Sequence, residues 1–269
     1  MIKIGSKEFD KNKTYIMGIL NVTPDSFSDG GRFVTMDRVI ARADEMAQEG
    51  AAIIDVGGES TRPGYTMISD DEEISRVVPA IEAIKARFDI PISIDTYKSR
   101  VAEAAICAGA DMVNDIWGLD YDPKMRELVK RYDVSCAITH NRKDTNYNDF
   151  MTDCVNDLKT LYDKALAAGI DKDKIILDVG LGFVKSTEQN LMVMKHLDEF
   201  VKLGAPILIG ASKKSFIGNS LSLPVNERME GTLATTAMAC QNGVTFVRVH
   251  DIKENARLIN MFDKVYSVD

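Results

Sequence analysis

Short apolar runs rich in β-branched residues alternate along the chain with longer amphipathic segments. This alternation is typical of parallel strands that are each followed by a covering helix. Eight such cycles are present, which favours a closed (β/α)8 TIM barrel of the α/β class over an open doubly wound sheet. The predicted strands span residues 15–21, 52–56, 91–95, 111–114, 134–140, 174–178, 206–210 and 245–249. The predicted helices span residues 37–49, 72–87, 98–108, 124–132, 149–168, 188–201, 226–241 and 252–263.

The connections on the two sides of these strands differ. Several helices end at a glycine that is soon followed by a strand, as at Gly50 and Gly243, where glycine can take the left-handed conformation of a helix cap. The connections after the strands are longer and more polar, and they span residues 22–36, 57–71, 141–148, 179–187 and 211–225. In an α/β barrel this asymmetry places the active site at the carboxyl ends of the strands. No Pro/Ser-rich linker interrupts the chain, so residues 1–269 are expected to form a single domain.

The composition of the chain argues against some classes of binding partner and indicates a cellular compartment. A net charge of -8 argues against nucleic acid and against an anionic membrane as the main partner. The first fifteen residues mix charged and apolar positions, so neither a signal peptide nor a membrane span is expected and the cytoplasm is the predicted location. The four cysteines contain no Cys-x-x-Cys pair, which argues against a disulfide framework and a thiolate metal site.

Polar side chains stand where most of the predicted strands end. They are Asn21, Asp55, Asp95, Asn114, His140, Asp178, Arg248 and His250, with Lys214 just beyond its strand. Any single one could be a helix N-cap or a turn residue. Because a closed ring of strands would bring all of them to one rim, their recurrence predicts a shared polar cavity.

Two chemical subsets can be separated within this set. Arg62, Arg248 and His250 are joined by hydroxyls at Ser60, Thr61 and Ser212, and such donors could bind an oxyanion like pyrophosphate. For the two arginines, a surface ion pair is the alternative. The second subset could bind a flat heterocycle, since carboxylates accept from amino groups and lysine donates to oxygen, and it comprises Asp95, Asn114, Asp178 and Lys214. Asp55 could contact ligand or support the loop that follows it.

Two long motifs resemble the signature loops of the dihydropteroate synthases. They are MGILNVTPDSFSDGG at residues 17–31 and GESTRPG at residues 58–64. Shorter matches follow in order at residues 93–96, 114–116, 178–183, 210–215 and 248–251, so the resemblance covers almost the whole chain. It implies condensation of 6-hydroxymethyl-7,8-dihydropterin pyrophosphate with 4-aminobenzoate to give 7,8-dihydropteroate.

The resemblance also implies roles for individual residues. Pterin would be bound by Asp95, Asn114, Asp178 and Lys214, with Asp55 and Lys213 beside them, and pyrophosphate by Asn21, Arg62, Arg248 and His250. Asn21 would be the protein ligand to Mg2+. Loops carrying Phe27 and Thr61, Arg62 and Pro63 would close over the site and form the aminobenzoate pocket with Phe183 and Ser212. Asp95, Lys214, Arg248 and His250 form the expected catalytic set, and relatives of this kind commonly dimerise through their last helices.

Four departures from the usual pattern of this family accompany the resemblance. Val179 stands in place of proline, Val184 in place of glycine and Lys213 in place of arginine. Thr139 and Asn141 flank His140 where methionine is common. Lysine cannot reproduce the planar fork of a guanidinium, so Lys213 is the change expected to matter most for substrate affinity or inhibitor sensitivity.

Three other functions fit parts of the pattern. A pterin-binding module that transfers methyl groups to a corrinoid protein would need the pterin residues but not the whole set of cations. An aldolase could use Lys214 as a Schiff-base nucleophile, which borohydride trapping would reveal. A non-catalytic pterin-binding homologue is disfavoured because no signature charged residue is missing.

Overall fold

Eight parallel strands close into a barrel in a computed structural model of the chain, which describes residues 1–23, 32–59 and 67–268. The strands are β1 (Ile2–Ile4) and β2 (Lys7–Phe9), which form a separate antiparallel hairpin, and then the barrel strands β3 (Tyr15–Asn21), β4 (Ile53–Gly57), β5 (Ile92–Asp95), β6 (Met112–Asp115), β7 (Ser135–Thr139), β8 (Ile175–Asp178), β9 (Ile207–Ile209) and β10 (Phe246–Val249). Neighbours in the barrel follow chain order, and β10 pairs with β3 to close it. The predicted (β/α)8 barrel is confirmed, and the open sheet is excluded.

Helices cover the outside of the barrel. They are α1 (Arg32–Glu49), α2 (Asp70–Lys85), α3 (Ser99–Cys107), α4 (Met125–Tyr132), α5 (Phe150–Ala167), α6 (Thr187–Lys195), α7 (Leu197–Val201), α8 (Ser215–Leu221), α9 (Met229–Gln241) and α10 (Ile252–Tyr266). The start of α6 shows why the chain turns helical there, because Ser186 and Gln189 form a reciprocal capping box. Among the residues described, none of the helices combines the length and apolar content that crossing a membrane requires.

The predicted elements differ from the structure mainly in the helices. Each predicted barrel strand matches an observed strand to within one residue at either end. The predicted helix at residues 188–201 is wrong as one piece, since it breaks at His196 into α6 and α7. The predicted loop at residues 211–225 contains α8, and α1 begins before the predicted residue 37. Short amphipathic turns such as α8 carry too little periodicity to be separated from polar loop.

The hairpin of β1 and β2 packs against the amino ends of the barrel strands. Its buried side chains Ile2, Ile4 and Phe9 form one apolar cluster with inward-facing barrel residues, namely Met17, Ile53, Met112, Ala137, Ile176, Leu208 and Phe246. We call this cluster the barrel floor. The hairpin was not predicted, because strands of three residues give no detectable alternation. The floor closes one end of the barrel, so only the carboxyl end is left for a ligand.

Candidate active site

A partly buried arginine joins two buried carboxylates across the carboxyl end of the barrel, which we call the mouth. Arg248 on β10 donates from Nε to Asp55 Oδ2 and from Nη2 to Asp95 Oδ2, each at 2.6 Å. Asn114 Nδ2 donates to the same Asp55 oxygen at 3.2 Å. Arg248 is therefore in an ion pair with two buried carboxylates inside the barrel, and its own side chain is 19% exposed. The cationic and acidic subsets that the sequence separates meet at this residue.

Burial governs the protonation of this group. It raises the pKa of Asp95 to about 7, against the opposing effect of Arg248 and with help from Asp55. Burial disfavours the charge of Arg248, but the carboxylates of Asp55 and Asp95 outweigh it and raise the pKa of the guanidinium. Within the described part of the chain, Oδ1 of Asp55, Asp95 and Asn114 are buried without hydrogen-bond partners. Since buried acceptors are rarely left unpaired, these three oxygens indicate a ligand that brings N–H donors.

A second group surrounds the turn after β8 and includes Asp178 at the end of that strand and Lys214 from the loop after β9. Asp178 Oδ1 accepts from the Gly180 N–H at 2.8 Å, and Lys214 donates to the Leu181 carbonyl. The Lys214 ammonium lies 4.7 Å from the centroid of the Phe183 ring, a cation–π contact. Burial lowers the pKa of Lys214 to about 8, although Asp178 opposes this shift. Burial also raises the pKa of Asp178, and Lys214 opposes it. The pair offers a carboxylate and an ammonium beside an aromatic face.

Ser212 and His250 are joined where the loops after β9 and β10 meet. Ser212 Oγ lies 2.9 Å from His250 Nδ1 and also accepts from the His250 backbone N–H at 3.2 Å. Arg42 on α1 donates to the His250 carbonyl at 2.7 Å. These contacts set the position of the imidazole relative to the mouth.

Lys213 has a position different from that of its neighbour Lys214. Its ammonium donates to Asp251 at 2.9 Å, and its carbonyl accepts from Arg228 at 2.9 Å. The residue has a positive φ of 56°, a conformation that turns the chain so that consecutive lysines diverge. The structure therefore places the Lys213 ammonium in an ion pair between two loops. We infer from this geometry that Lys213 orders the loops and that Lys214 is the lysine of the mouth.

The remaining predicted site residues are placed as follows. Asn21 ends β3, and its Oδ1 approaches Gly57, where an added Cβ would lie 3.5 Å from it. Phe27, Ser60, Thr61, Arg62 and Pro63 lie outside the described residues. The structure thus brings Asp55, Asp95, Asn114 and Arg248 into direct contact and sets Asp178 beside Lys214.

Sequence reasoning missed a buried cluster at Lys98. Its ammonium donates to Glu59 and Glu73 at 2.8 Å each and to the Ile68 carbonyl at 2.9 Å, and Tyr97 donates to Glu59 at 2.7 Å. The cluster ties the chain on both sides of residues 60–66 to the start of α3. Lys98 lies three residues after Asp95, but the residues around it carry no pattern that would predict the burial of its side chain.

His140 differs from the other polar residues at strand ends. Strand pleating turns neighbouring side chains to opposite faces, so Thr139 and His140 diverge. His140 is fully buried outside the barrel, where its Nε2 lies 3.2 Å from Asp157 on α5 and its Nδ1 lies 2.8 Å from Lys185. The expectation that His140 shares the cavity is therefore wrong, and Lys185 is a second residue that the sequence reasoning missed.

Comparison with known proteins gives a consistent family. The model of the pterin binding enzymes matches residues 17–250. A dihydropteroate synthase of Clostridium beijerinckii is 55% identical over 264 residues, which cover 97% of this chain and 98% of the relative. The structure of the dihydropteroate synthase from Clostridium difficile with pteroic acid superposes with a TM-score of 0.92 at 48% identity, covering all of both chains. That of the Yersinia pestis enzyme in complex with a sulfonamide drug has a TM-score of 0.92 at 36% identity, covering 99% of each chain.

Proposed function

The chain belongs to the dihydropteroate synthases of the pterin-binding enzyme family, and from this premise we propose which residues of the mouth act on each substrate. The reaction condenses 6-hydroxymethyl-7,8-dihydropterin pyrophosphate with 4-aminobenzoate, releasing 7,8-dihydropteroate and pyrophosphate in folate biosynthesis. The observation that carries the assignment of residues is the set of buried acceptor oxygens without partners around Arg248.

The pterin ring binds against Asp95, Asn114, Asp178 and Lys214. A 2-amino-4-oxopyrimidine ring carries N–H donors on one side and a carbonyl oxygen on the other. Asp95 Oδ1 and Asn114 Oδ1 are unpaired acceptors for such donors, and Asp178 adds a carboxylate. The Lys214 ammonium can donate to the carbonyl. Recognition by matched buried groups is discriminating, because an analogue lacking one donor leaves a buried acceptor unpaired.

Pyrophosphate leaves toward Arg248 and His250. Asp55 and Asp95 occupy Nε and Nη2 of Arg248, and the other N–H groups of the guanidinium are assigned to an oxygen of the leaving group. Arg62 and the amide of Asn21 complete the expected set, as the sequence predicts. Cations aimed at the charge that develops on a leaving group are each worth several kcal/mol, by order of magnitude.

We assign Mg2+ to this side of the mouth with Asn21 as its protein ligand. Among the described residues, no group of three or more His, Cys, Asp or Glu side chains is arranged to hold a metal. An amide oxygen at the end of β3 fits an ion that takes most of its ligands from phosphate oxygens and water. When bound, the ion would neutralise charge on the pyrophosphate oxygens. The measurement is magnesium titration of wild type and of Asn21→Ala, for which we expect a weaker apparent magnesium affinity.

Asp95 stabilises the electron-poor pterin as the bond to pyrophosphate breaks. The C–O bond electrons go to the leaving oxygen, the lone pair of the arylamine forms the new C–N bond, and the amine proton is released. An ionised Asp95 beside the ring favours the positive charge that develops there. Because no covalent intermediate is needed, Lys214 acts as an ammonium donor and not as a nucleophile.

The decisive experiment measures pyrophosphate release with each substrate alone and with both together. We expect release that depends on both substrates in the wild type and no adduct on Lys214 after borohydride treatment with a carbonyl substrate. Wild-type protein that stays inert with both substrates would overturn the assignment, and a trapped Lys214 adduct would favour the aldolase alternative.

The aminobenzoate site is assigned to Phe183 and Ser212 together with Thr61, Arg62 and Pro63. Phe183 lies on the turn after β8 and Ser212 on the loop after β9, so the two line adjacent parts of the rim. We propose that aminobenzoate binds tightly only after pyrophosphate or the pterin substrate, and that a sulfonamide competes with it. Calorimetry that finds equal aminobenzoate affinity with and without pyrophosphate would reject this order.

A homodimer is proposed through the last two helices. An apolar face formed by Ala237 on α9 and by Leu258, Met261, Phe262, Val265 and Tyr266 on α10 surrounds a shallow groove. Met261, Val265 and Tyr266 are 63%, 54% and 68% exposed, an unusual run of exposed apolar side chains on one helix. Light scattering should find a dimer in the wild type and a monomer in Met261→Glu.

We also propose the cytoplasm as the compartment of this enzyme. Support comes from the free thiols of all four cysteines, two of which are buried. Fractionation of cells producing the chain is the direct measurement, and recovery of the activity outside the cytoplasm would contradict the proposal.

A further inference from the structure

The turn after β8 is held on the side away from the mouth by a partly buried hydrogen-bond network that the proposed reaction does not use. Lys185 extends its ammonium under the turn and donates to the Gly180 carbonyl at 2.8 Å and to the Phe183 carbonyl at 3.3 Å. Its third partner is His140 Nδ1, at 2.8 Å. One ammonium thus uses three donors to join both ends of the turn to the end of β7.

The turn needs such support because its backbone conformation is costly. Val184 has a φ of 47°, a left-handed conformation that a β-branched residue adopts only when its surroundings impose it. Gly180 has a φ of 69°, and an added Cβ there would lie 1.9 Å from the His140 carbonyl oxygen. The turn is therefore packed directly against β7, and Lys185 supplies the hydrogen bonds that hold it there.

His140 in turn has a defined tautomer. Because an ammonium can only donate, we assign Nδ1, which faces Lys185, as the acceptor and place the ring proton on Nε2, which faces Asp157 Oδ2 at 3.2 Å. Asp157 also accepts from Arg142 Nε at 2.5 Å. Burial and the nearby ammonium both lower the pKa of His140, although Asp157 opposes them, which keeps the ring neutral. The neutral imidazole therefore accepts from the ammonium of the partly buried Lys185 and fixes the direction of that side chain.

We propose that Lys185, oriented by His140, is a positioning residue that presents Asp178 to the pterin and Phe183 to the aminobenzoate site at the mouth of the barrel. On the opposite side of the same turn, Lys214 binds the Leu181 carbonyl and lies over Phe183. The turn is thus held between two lysines, one facing the ligand and one behind. This inference rests on the proposed assignment of the pterin to Asp178 and Lys214.

Two substitutions of His140 separate the proposed role from simple packing. His140→Asn can place an amide oxygen near the position of Nδ1 and keep an acceptor for Lys185. His140→Gln can place an amide nitrogen near Nε2 and keep the donor to Asp157, but it offers Lys185 no acceptor in the original position. Lys185→Met removes the ammonium and keeps a similar chain length. Lys195→Met, on the exposed side of α6, is the matched control.

The measurements are KM and kcat for both substrates, the melting temperature, and calorimetric affinity for 6-hydroxymethylpterin. We expect Lys185→Met and His140→Gln to raise the KM and the Kd of the pterin by roughly tenfold, with kcat less affected. His140→Asn should stay within about threefold of wild type, because it keeps an acceptor for the Lys185 ammonium. Lys195→Met should also stay within about threefold, because Lys185 and His140 are unchanged in it.

Two results would overturn the proposal. One is equal pterin affinity in His140→Asn and His140→Gln, and the other is a Lys185→Met variant that melts at lower temperature while binding pterin normally. If Lys185→Met does not fold, the comparison of pterin affinity between His140→Asn and His140→Gln still tests the proposal. Wild-type protein that binds pterin but releases no pyrophosphate would count against the proposed reaction, and pterin calorimetry would still test the positioning role.

Discussion

The two ends of the barrel interior are built from the same strands and yet have opposite chemistry. On β4, Ile53 lies in the floor and Asp55, two residues later, in the mouth. The same step leads from Ile176 to Asp178 on β8 and from Phe246 to Arg248 on β10. Since side chains two residues apart on a strand face the same side, one inward row changes from apolar to charged over about 7 Å.

The floor of the barrel contributes mainly to stability, whereas the mouth is built for binding and catalysis. The floor residues pack against Ile2, Ile4 and Phe9 of the hairpin and carry no polar side-chain group that needs a partner. In the mouth, by contrast, carboxylates are buried with oxygens left unpaired, which costs folding free energy. A substrate can pair those oxygens, so the site is prepared for its ligand at the expense of the free enzyme.

Asp95→Asn is expected to have the largest effect on the mouth. It removes the carboxylate that stabilises the developing charge, and we expect kcat/KM to fall by about 10²–10³-fold with little change in melting temperature. Steady-state kinetics of pyrophosphate release measure this change in kcat/KM. Asp89→Asn, at a surface ion pair with Lys7, is the control and should leave activity unchanged. Full activity in Asp95→Asn would show that Asp95 has been misassigned.

Phe246→Ala, at the floor, should lower the stability of the protein and leave its catalytic activity nearly unchanged. Phe246 is fully buried and meets the hairpin residue Phe9 with a centroid distance of 5.6 Å. We expect the free energy of unfolding to fall by about 3–5 kcal/mol, because an aromatic ring leaves a cavity. Denaturant unfolding measures this loss, and kcat/KM of the folded fraction should stay within about threefold. A selective loss of activity would break the separation of the two ends.

The pH dependence of kcat/KM should sharpen the chemistry of the mouth. Asp95 must be ionised, and its pKa of about 7 makes activity rise as pH increases through that value. Lys214 must be protonated, and its pKa of about 8 makes activity fall as pH increases further. We therefore expect a narrow bell with about a tenfold change per pH unit outside it. In Lys214→Arg the alkaline limb should move to higher pH, and a profile that is flat from pH 6 to 9 would contradict both assignments.

The smallest effect is expected for Lys213→Arg, at the outer rim. Lys213 pairs with Asp251 rather than with the carboxylates of the mouth, and arginine can make the same ion pair. The KM values of both substrates should therefore change by less than about threefold. A change in pterin KM of tenfold or more would place this residue in the mouth after all.

Much of the barrel and most of its mouth could be predicted from the sequence because both depend on short-range patterns. Apolar runs of four to seven residues mark the strands, and glycines mark the ends of helices. Once eight parallel strands are assumed, Asp55, Asp95, Asn114, Asp178 and Arg248 are expected to share a rim. In the structure Arg248 contacts Asp55 and Asp95, and Asn114 contacts Asp55. The resemblance of the signature loops to those of the dihydropteroate synthases then implied the kind of ligand.

The remaining features depend on contacts between residues far apart in the chain. The strands of the hairpin at residues 2–9 are too short to show periodicity, and a hairpin of this size is stable only when it packs on other parts of the protein, here the barrel floor. Lys213 and Lys214 are alike in sequence, and the positive φ of Lys213 sends them in different directions. Whether His140 faces the cavity or Lys185 depends on the register of β7, since a shift of one residue exchanges the two faces of a strand. The sequence alone therefore determined the order of strands and helices and the polar residues at the strand ends. Tertiary packing decided which of these side chains contact one another, because their partners and their burial exist only once the barrel has closed.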